Sequence, residues 1–310
     1  MAERRKTQYG RLPGAGGILG RAILKSLLAA GATAMVAGAV GYGFMRMGEA
    51  AREAPEYQVS RDSLRLVTGP EWMTPAILAE LDLARELPER FSLLDPTIAA
   101  RVARAYERCV WVERVESVVK RDPRVAGNGP PLEVRLKFRR PVAFVQVSGR
   151  DGFYLVDGRA VRLPGVYREP KLGEVRLLVI MGCRESPPEP GRLWATPALE
   201  SGVRVADAVQ SRREKFGLTT VDVSNFGGRR DPRDTEVALY TENHTQIKWG
   251  KAPTLEAERL QEKSPAEKVG YLDFVYDRLE GRIDGVLSYI DIPNEAIGRR
   301  STADSNRLRS

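Results

Sequence analysis

The sequence predicts an α+β protein that one N-terminal helix tethers to a membrane. Residues 26–45 form a run of twenty residues without a charge, and about twenty apolar residues are what a helix needs to cross a bilayer. Beyond this run, segments with helical periodicity alternate with short segments of period two as far as residue 293. We therefore expect one transmembrane helix, then a small β-α-α-β-β unit, and then a mixed β unit with flanking helices.

The apolar run has a basic N-terminal flank. Residues 1–25 hold six Lys and Arg against one Glu, and the positive-inside rule keeps such a flank in the cytoplasm. We expect a cytoplasmic tail at 1–25, a membrane helix at 26–45 and a body outside the cytoplasm. A cleaved secretory signal is the alternative, because its apolar core and small-residue cleavage site fit the same segment.

Three small residues in the apolar run are spaced by four positions. Such spacing lets a second helix approach closely, although small residues are common in membrane helices and the spacing also arises by chance. The candidate helix-packing residues are Ala30, Ala34 and Gly38.

Charge and residue types exclude several function classes. The net charge of +8 lies at the two chain ends and leaves residues 47–293 neutral, so we expect no nucleic-acid partner. His244 is the only histidine and falls in a predicted hairpin turn, and no catalytic, phosphate-binding or metal-binding motif is present. We expect no enzyme activity, cofactor, metal or small-molecule substrate. A carboxylate-dependent hydrolase is the alternative to a protein without enzyme activity. Cys109 and Cys183 are expected to be buried thiols, and a disulfide between them is the alternative if the body lies outside the cytoplasm.

The first folded unit is predicted at residues 63–140, after a polar stalk at 46–62. A short strand at 64–68 precedes a helix with Thr74 as its N-cap and Pro75 in its first turn. A second helix is capped by Asp95 and presents an apolar stripe of Ile98, Val102 and Tyr106. Two strands follow, and the second, at 132–139, alternates strictly between apolar and charged residues.

The second unit is predicted at residues 141–293, with strands at 142–147, 153–157, 177–181, 219–223, 236–240, 246–249 and 286–292. One helix begins at Thr196-Pro197 and ends at Gly217. Another begins at a capping box that pairs Ser264 with Glu267. Residues 294–310 are rich in Arg and Ser and are predicted to form a disordered tail.

These residues resemble the bacterial cell-division family FtsQ/DivIB over about residues 18–293. The resemblance is carried by the single anchor, by the β-α-α-β-β unit, and by four short stretches. These stretches are Trp111 to Val115 with Arg121-Asp122-Pro123, Leu132-Glu133-Val134 with Arg139 to Ala143, Tyr154 to Asp157, and Ser288-Tyr289-Ile290-Asp291 in the final strand.

The resemblance implies a non-catalytic scaffold of the division septum in the bacterial inner membrane. The small unit would be a polypeptide-transport-associated (POTRA) domain and the larger one the family's β domain. The implied partners are membrane proteins of the FtsB and FtsL type. A POTRA-bearing envelope protein that acts in protein secretion or outer-membrane assembly is the alternative.

Partner binding is predicted at the final strand, because an edge strand exposes backbone groups to which another strand can add. An internal place for this strand in the sheet is the alternative. The sequence also departs from the family after Ile292, where Pro293 and Asn294 shorten the available edge. The candidate partner-binding residues are Val286, Ser288, Tyr289, Ile290, Asp291 and Ile292.

Overall fold

The computed structural model describes residues 16–61, 65–66, 70, 72–81, 87–121, 132–251 and 262–299. Its helices and strands are mixed along the chain, as predicted for an α+β protein. The helices are α1 Gly16–Glu53, α2 Pro75–Glu80, α3 Ile98–Glu107, α4 Pro197–Val209, α5 Arg213–Phe216 and α6 Pro265–Arg278.

Within the described residues, the strands form an eight-stranded sheet, a three-stranded sheet and two pairs. The large sheet has the order β15-β14-β13-β12-β11-β10-β6-β7, the smaller has the order β2-β5-β4, and β1 pairs with β3 and β8 with β9. The strands are β1 Gln58–Ser60, β2 Arg65–Leu66, β3 Arg90–Ser92, β4 Val112–Lys120, β5 Leu132–Phe138, β6 Pro141–Val147, β7 Tyr154–Asp157, β8 Lys171–Leu172, β9 Val175–Arg176, β10 Leu178–Cys183, β11 Leu218–Asp222, β12 Val237–Thr241, β13 Gln246–Gly250, β14 Leu287–Asp291 and β15 Ala296–Arg299.

Helix α1 contains the predicted membrane segment and is longer than predicted. At 38 residues it is about 57 Å long. Its segment Lys25–Glu53 is long and apolar enough to cross a membrane, and none of its most apolar stretch is buried against the rest of the protein. Length and composition alone fit both a membrane anchor and a signal sequence. Residues 1–15 of the predicted cytoplasmic tail lie outside the described residues.

The segment predicted as a polar stalk, 46–62, contains regular secondary structure. Helix α1 continues to Glu53, a single residue, Ala54, separates it from a 3-10 helix, and β1 follows directly. Strand β1 pairs with β3, about 30 residues later along the chain. The polar composition of the segment concealed this order, because the pairing partner is distant in sequence.

The first unit contains the predicted helices on a three-stranded sheet, in which β5 pairs parallel with β2 and antiparallel with β4. The stripe Ile98, Val102 and Tyr106 is buried, as predicted. The predicted cap is displaced: Asp95 accepts a hydrogen bond from the Thr97 backbone N–H at 2.8 Å, and α3 begins only at Ile98. Asp95 therefore closes a turn before the helix. Of the predicted strand 64–68, residues 65–66 are in β2 and the others lie outside the described residues.

The second unit packs α4 and α6 against its large sheet. The predicted helix starts are confirmed: Thr196 Oγ1 accepts from Leu199 N at 3.3 Å, and Ser264 and Glu267 form the reciprocal capping box. Gly217 ends α5 with a φ of +66°. A Cβ on Gly202 of α4 would lie 2.9 Å from Cγ2 of Ile180, so this glycine lets the helix approach the sheet closely.

The two units share an apolar cluster. Trp111 from the first unit packs in it with Phe144 and Leu155 from the second, and all three are at most 1% exposed. Beside this cluster, Arg139 Nη1 and Asp157 Oδ2 form a largely buried ion pair at 3.0 Å. The segments 112–138 and 141–157 are therefore joined by a common core and not by a linker alone.

Candidate partner-binding edge

One edge of the large sheet is closed by the protein's own chain. The outer side of β7 bonds to residues 161–167: Leu163 N donates to Leu155 O at 2.8 Å, and Phe153 and Tyr167 exchange two backbone hydrogen bonds. Isolated bridges at Phe153↔Tyr167 and Val156↔Arg162 complete this cover. The backbone of β7 is thus paired on both sides.

The opposite edge is β15. It pairs antiparallel with β14 on one side, and within the described residues no strand pairs with its other side. Strand addition needs such a row of unpaired backbone groups. This strand contradicts two predictions. Residues 296–299 are ordered within the predicted disordered tail, and the predicted final strand is not the last one.

The predicted partner-binding strand is β14, and it lies inside the sheet between β13 and β15. The prediction that it forms the edge is wrong, and the internal alternative is correct. Its side chains support the fold: Ile290 and Ile292 are fully buried in the core. Val286 lies just before the strand and is 44% exposed.

The remaining predicted residues hold the hairpin to which the edge strand belongs. Ser288 Oγ donates to Gly298 O at 3.1 Å. The ring of Tyr289 lies across Gly298, where a Cβ would collide with it; an aromatic ring laid over a strand glycine supports an edge. Asp291 accepts from Asn294 N at 3.0 Å and closes the β14–β15 turn. Their proposed contact with a partner stays a prediction.

A groove with a volume of about 450 Å³ runs between α6 and β15. On its floor and rim, Phe274 is 55% exposed and Ile297 is 41% exposed. Arg278 lies over the ring of Phe274 at 5.9 Å. A strand added to β15 would place alternate side chains over this groove. The lining residues are Tyr271, Phe274, Val275, Arg278, Leu279, Glu295, Ile297 and Arg299.

A turn signal marks β15 in the sequence. The residues Pro293 and Asn294 follow a predicted strand, and Pro-Asn is a common pair at the centre of a β-turn. Reading it as a hairpin turn predicts a further strand at Ala296 to Arg299. Interpreted only as the end of a strand, Pro293 predicts no strand after it.

The side chains that could bind a metal or act as nucleophiles lie far apart in the described residues. Among the described residues no group of three or more His, Cys, Asp or Glu is placed to hold a metal ion. His244 lies in the β12–β13 turn with a φ of +60°. Cys183 is buried, as predicted, whereas Cys109 is only half-buried. Burial raises the pKa of the Cys183 thiol to about 12.

The predicted helix-packing residues Ala30, Ala34 and Gly38 are all exposed on α1, and a Cβ on Gly38 would meet no other atom. Their pairing with another helix stays a prediction.

Comparisons with known proteins found no family for this chain. No protein-family model matches the chain, and no curated protein matches it.

Proposed function

We propose that this protein is a membrane-anchored, non-catalytic scaffold of the bacterial division machinery, of the FtsQ/DivIB type. Helix α1 would span the inner membrane with its N-terminus in the cytoplasm. The two units would lie outside the cytoplasm and recruit FtsB- and FtsL-type membrane proteins to the septum. The observation that carries this proposal is the edge of β15, which no other described strand pairs, beside a groove that exposes Phe274 and Ile297.

The order of the elements supports the proposal. Strand β2, two helices, and strands β4 and β5 follow one another, with β5 at the centre of the small sheet, which is compatible with a POTRA-type unit. The unit interrupts this order with β3, which pairs outside the small sheet.

The open edge has the physical properties of a strand-addition site. Main-chain hydrogen bonds supply affinity at such an edge, and pockets for alternate side chains supply specificity. The groove offers apolar surface from Phe274 and Ile297, with Arg278 and Arg299 at its rim. The other sheet edge cannot accept a strand, because residues 161–167 already occupy it.

A pair of matched variants tests the site. Ile297→Lys places a charge in the groove, whereas Val119→Lys places one on a similarly exposed valine of β4 in the first unit, 44% exposed against 41%. In cells depleted of the natural protein, we expect Val119→Lys to restore septation and Ile297→Lys to leave filaments. Equal rescue by both variants contradicts partner binding at β15.

Depletion itself separates the two function classes. Blocked septation with normal export supports the scaffold, and loss of exported proteins with normal septation supports the secretion or outer-membrane alternative. A fluorescent fusion spread evenly over dividing cells counts against any septal role. A topology reporter fused at Ser310 and the mass of the mature chain distinguish an anchor from a cleaved signal.

A further inference from the structure

A lysine is buried beneath the turn that carries the edge strand. Lys268, on the first turns of α6, is 2% exposed. Its Nζ donates to Glu262 Oε1 at 2.7 Å and to the carbonyl of Lys251 at 2.9 Å, and it lies 5.3 Å from the ring centroid of Trp249. Charged groups are seldom buried this deeply unless they are paired, so the lysine requires an explanation.

The buried pair joins the start of α6 to the end of β13. Glu262 Oε1 also accepts a hydrogen bond from the backbone N–H of Lys251 at 2.7 Å. One carboxylate oxygen of Glu262 therefore accepts hydrogen bonds from the ammonium of Lys268 and from the backbone N–H of Lys251, which follows β13. Burial lowers the pKa of Lys268, while its bond to Glu262 opposes that shift.

The β14–β15 turn packs against this junction. Gly250 ends β13 with a φ of +91°, and a Cβ there would collide with Glu262 Oε1 and lie 2.9 Å from Cγ of Pro293. Lys263, the neighbour of Glu262, pairs with Glu295 in the same turn. Glu262, Gly250 and Pro293 line one cavity of about 370 Å³. The turn and the buried pair therefore meet at Gly250, and Lys263 bonds to the turn directly through Glu295 and the carbonyl of Ile292.

We propose that Lys268 is a positioning residue for the partner-binding edge, which fixes the β14–β15 turn through Glu262 and thereby sets the place of β15. Buried ion pairs add little net stability compared with apolar side chains of similar size, and some instead select one conformation. The role in partner binding rests on the proposed function. The role in holding β15 does not depend on any partner.

Hydrogen exchange in the full-length protein tests the positioning role directly. Lys268→Met removes the ammonium that pairs with Glu262, and the double variant Lys268→Met with Glu262→Met removes both charges. We expect amides of β15 to exchange at least about tenfold faster in both variants, while amides of β6 and β10 stay protected. Lys268→Arg, which keeps a cation, should restore much of the protection. Lys137→Met is the control, because its ammonium pairs with Glu113 at 2.9 Å in the first unit.

The double variant distinguishes positioning from the penalty of a lone buried charge. If only the lone charge matters, the double variant exchanges at β15 like the natural protein, and the proposal is overturned. Loss of protection throughout the large sheet also overturns it, since the effect is then general destabilisation. If Lys268→Met does not fold, the double variant carries the test.

Localisation of the partner in cells provides a second, separate readout. The double variant and Ile297→Lys should both lower septal enrichment of an FtsB-type fusion protein, and Lys137→Met should not. If the natural protein fails to reach the septum, the proposed function is wrong even where β15 exchange responds. If β15 exchange is unchanged in the variants, the positioning role is wrong even where localisation is normal.

Discussion

Replacing Trp111 with Ala should weaken the connection between the two units. The side chain is 1% exposed, and it belongs to the apolar cluster that also contains Phe144 and Leu155. A buried aromatic side chain removes about 150–250 Å² from water, which is worth about 4–6 kcal/mol at about 25 cal/mol per Å². Aromatic-to-alanine changes in protein cores cost about 3–5 kcal/mol, so we expect a loss of that size.

Urea unfolding of the full-length protein in detergent measures this loss. Because the cluster is shared, the natural protein should unfold in one transition that far-UV circular dichroism and tryptophan fluorescence report together. In Trp111→Ala the first unit should unfold at a lower urea concentration than the second. Val102→Ala is the control: Val102 is fully buried in the other cluster of the first unit, so it should weaken that unit without exposing Phe144. Two separate transitions in the natural protein would refute the shared-core reasoning.

Two substitutions and one labelling experiment test contacts in the second unit. Asp157→Ala removes one partner of a largely buried ion pair and two backbone hydrogen bonds; it should cost about 3–5 kcal/mol of unfolding free energy in urea titrations, and a loss below about 1 kcal/mol contradicts this. Gly298→Ala should push the ring of Tyr289 aside and cost about 1–3 kcal/mol, seen as faster amide exchange in β15, whereas unchanged exchange means the ring does not hold the strand. The raised pKa of Cys183 leaves its thiol protonated at pH 8, so a thiol reagent should label only Cys109 in the folded protein and both cysteines in urea. Rapid labelling of Cys183 without urea contradicts its burial.

Local signals predicted most helices and strands of this fold. The capping box at Ser264 and Glu267 lies within four residues, and the alternation at 132–139 is complete within one strand. Such signals depend on neighbours in the chain, and the structure confirms both. The pairing of β1 with β3 joins residues about 30 apart. Each of these strands has only three residues, which is too short for an alternating pattern to predict a strand.

The candidate edge was only partly predictable. The apolar run at 286–292 correctly predicts a strand, but that strand is the inner one of a hairpin and not the edge. Strand β15 is four residues long and contains Gly298, which weakens strand propensity. Its identity as an edge depends on the order of all eight strands, which no local pattern encodes. The burial of Lys268 was also not predicted, because a lysine beside an apolar stripe normally faces water. Its burial depends on Glu262 before α6 and on the carbonyl of Lys251 at the end of β13.

The path of the chain suggests how an anchored scaffold would present this edge. Gln58 Nε2 donates to the carbonyl of Arg52 at 2.7 Å, so the end of α1 is bonded to the first strand of the body. Strand β1 contributes Val59 to the core of the first unit, and the shared cluster around Trp111 continues into the large sheet. From α1 to the large sheet, the described parts of the chain are therefore connected by packed contacts. A partner bound at β15 would therefore be held at a restricted distance from the membrane, and a flexible insertion after Ala54 should weaken recruitment without altering the edge itself.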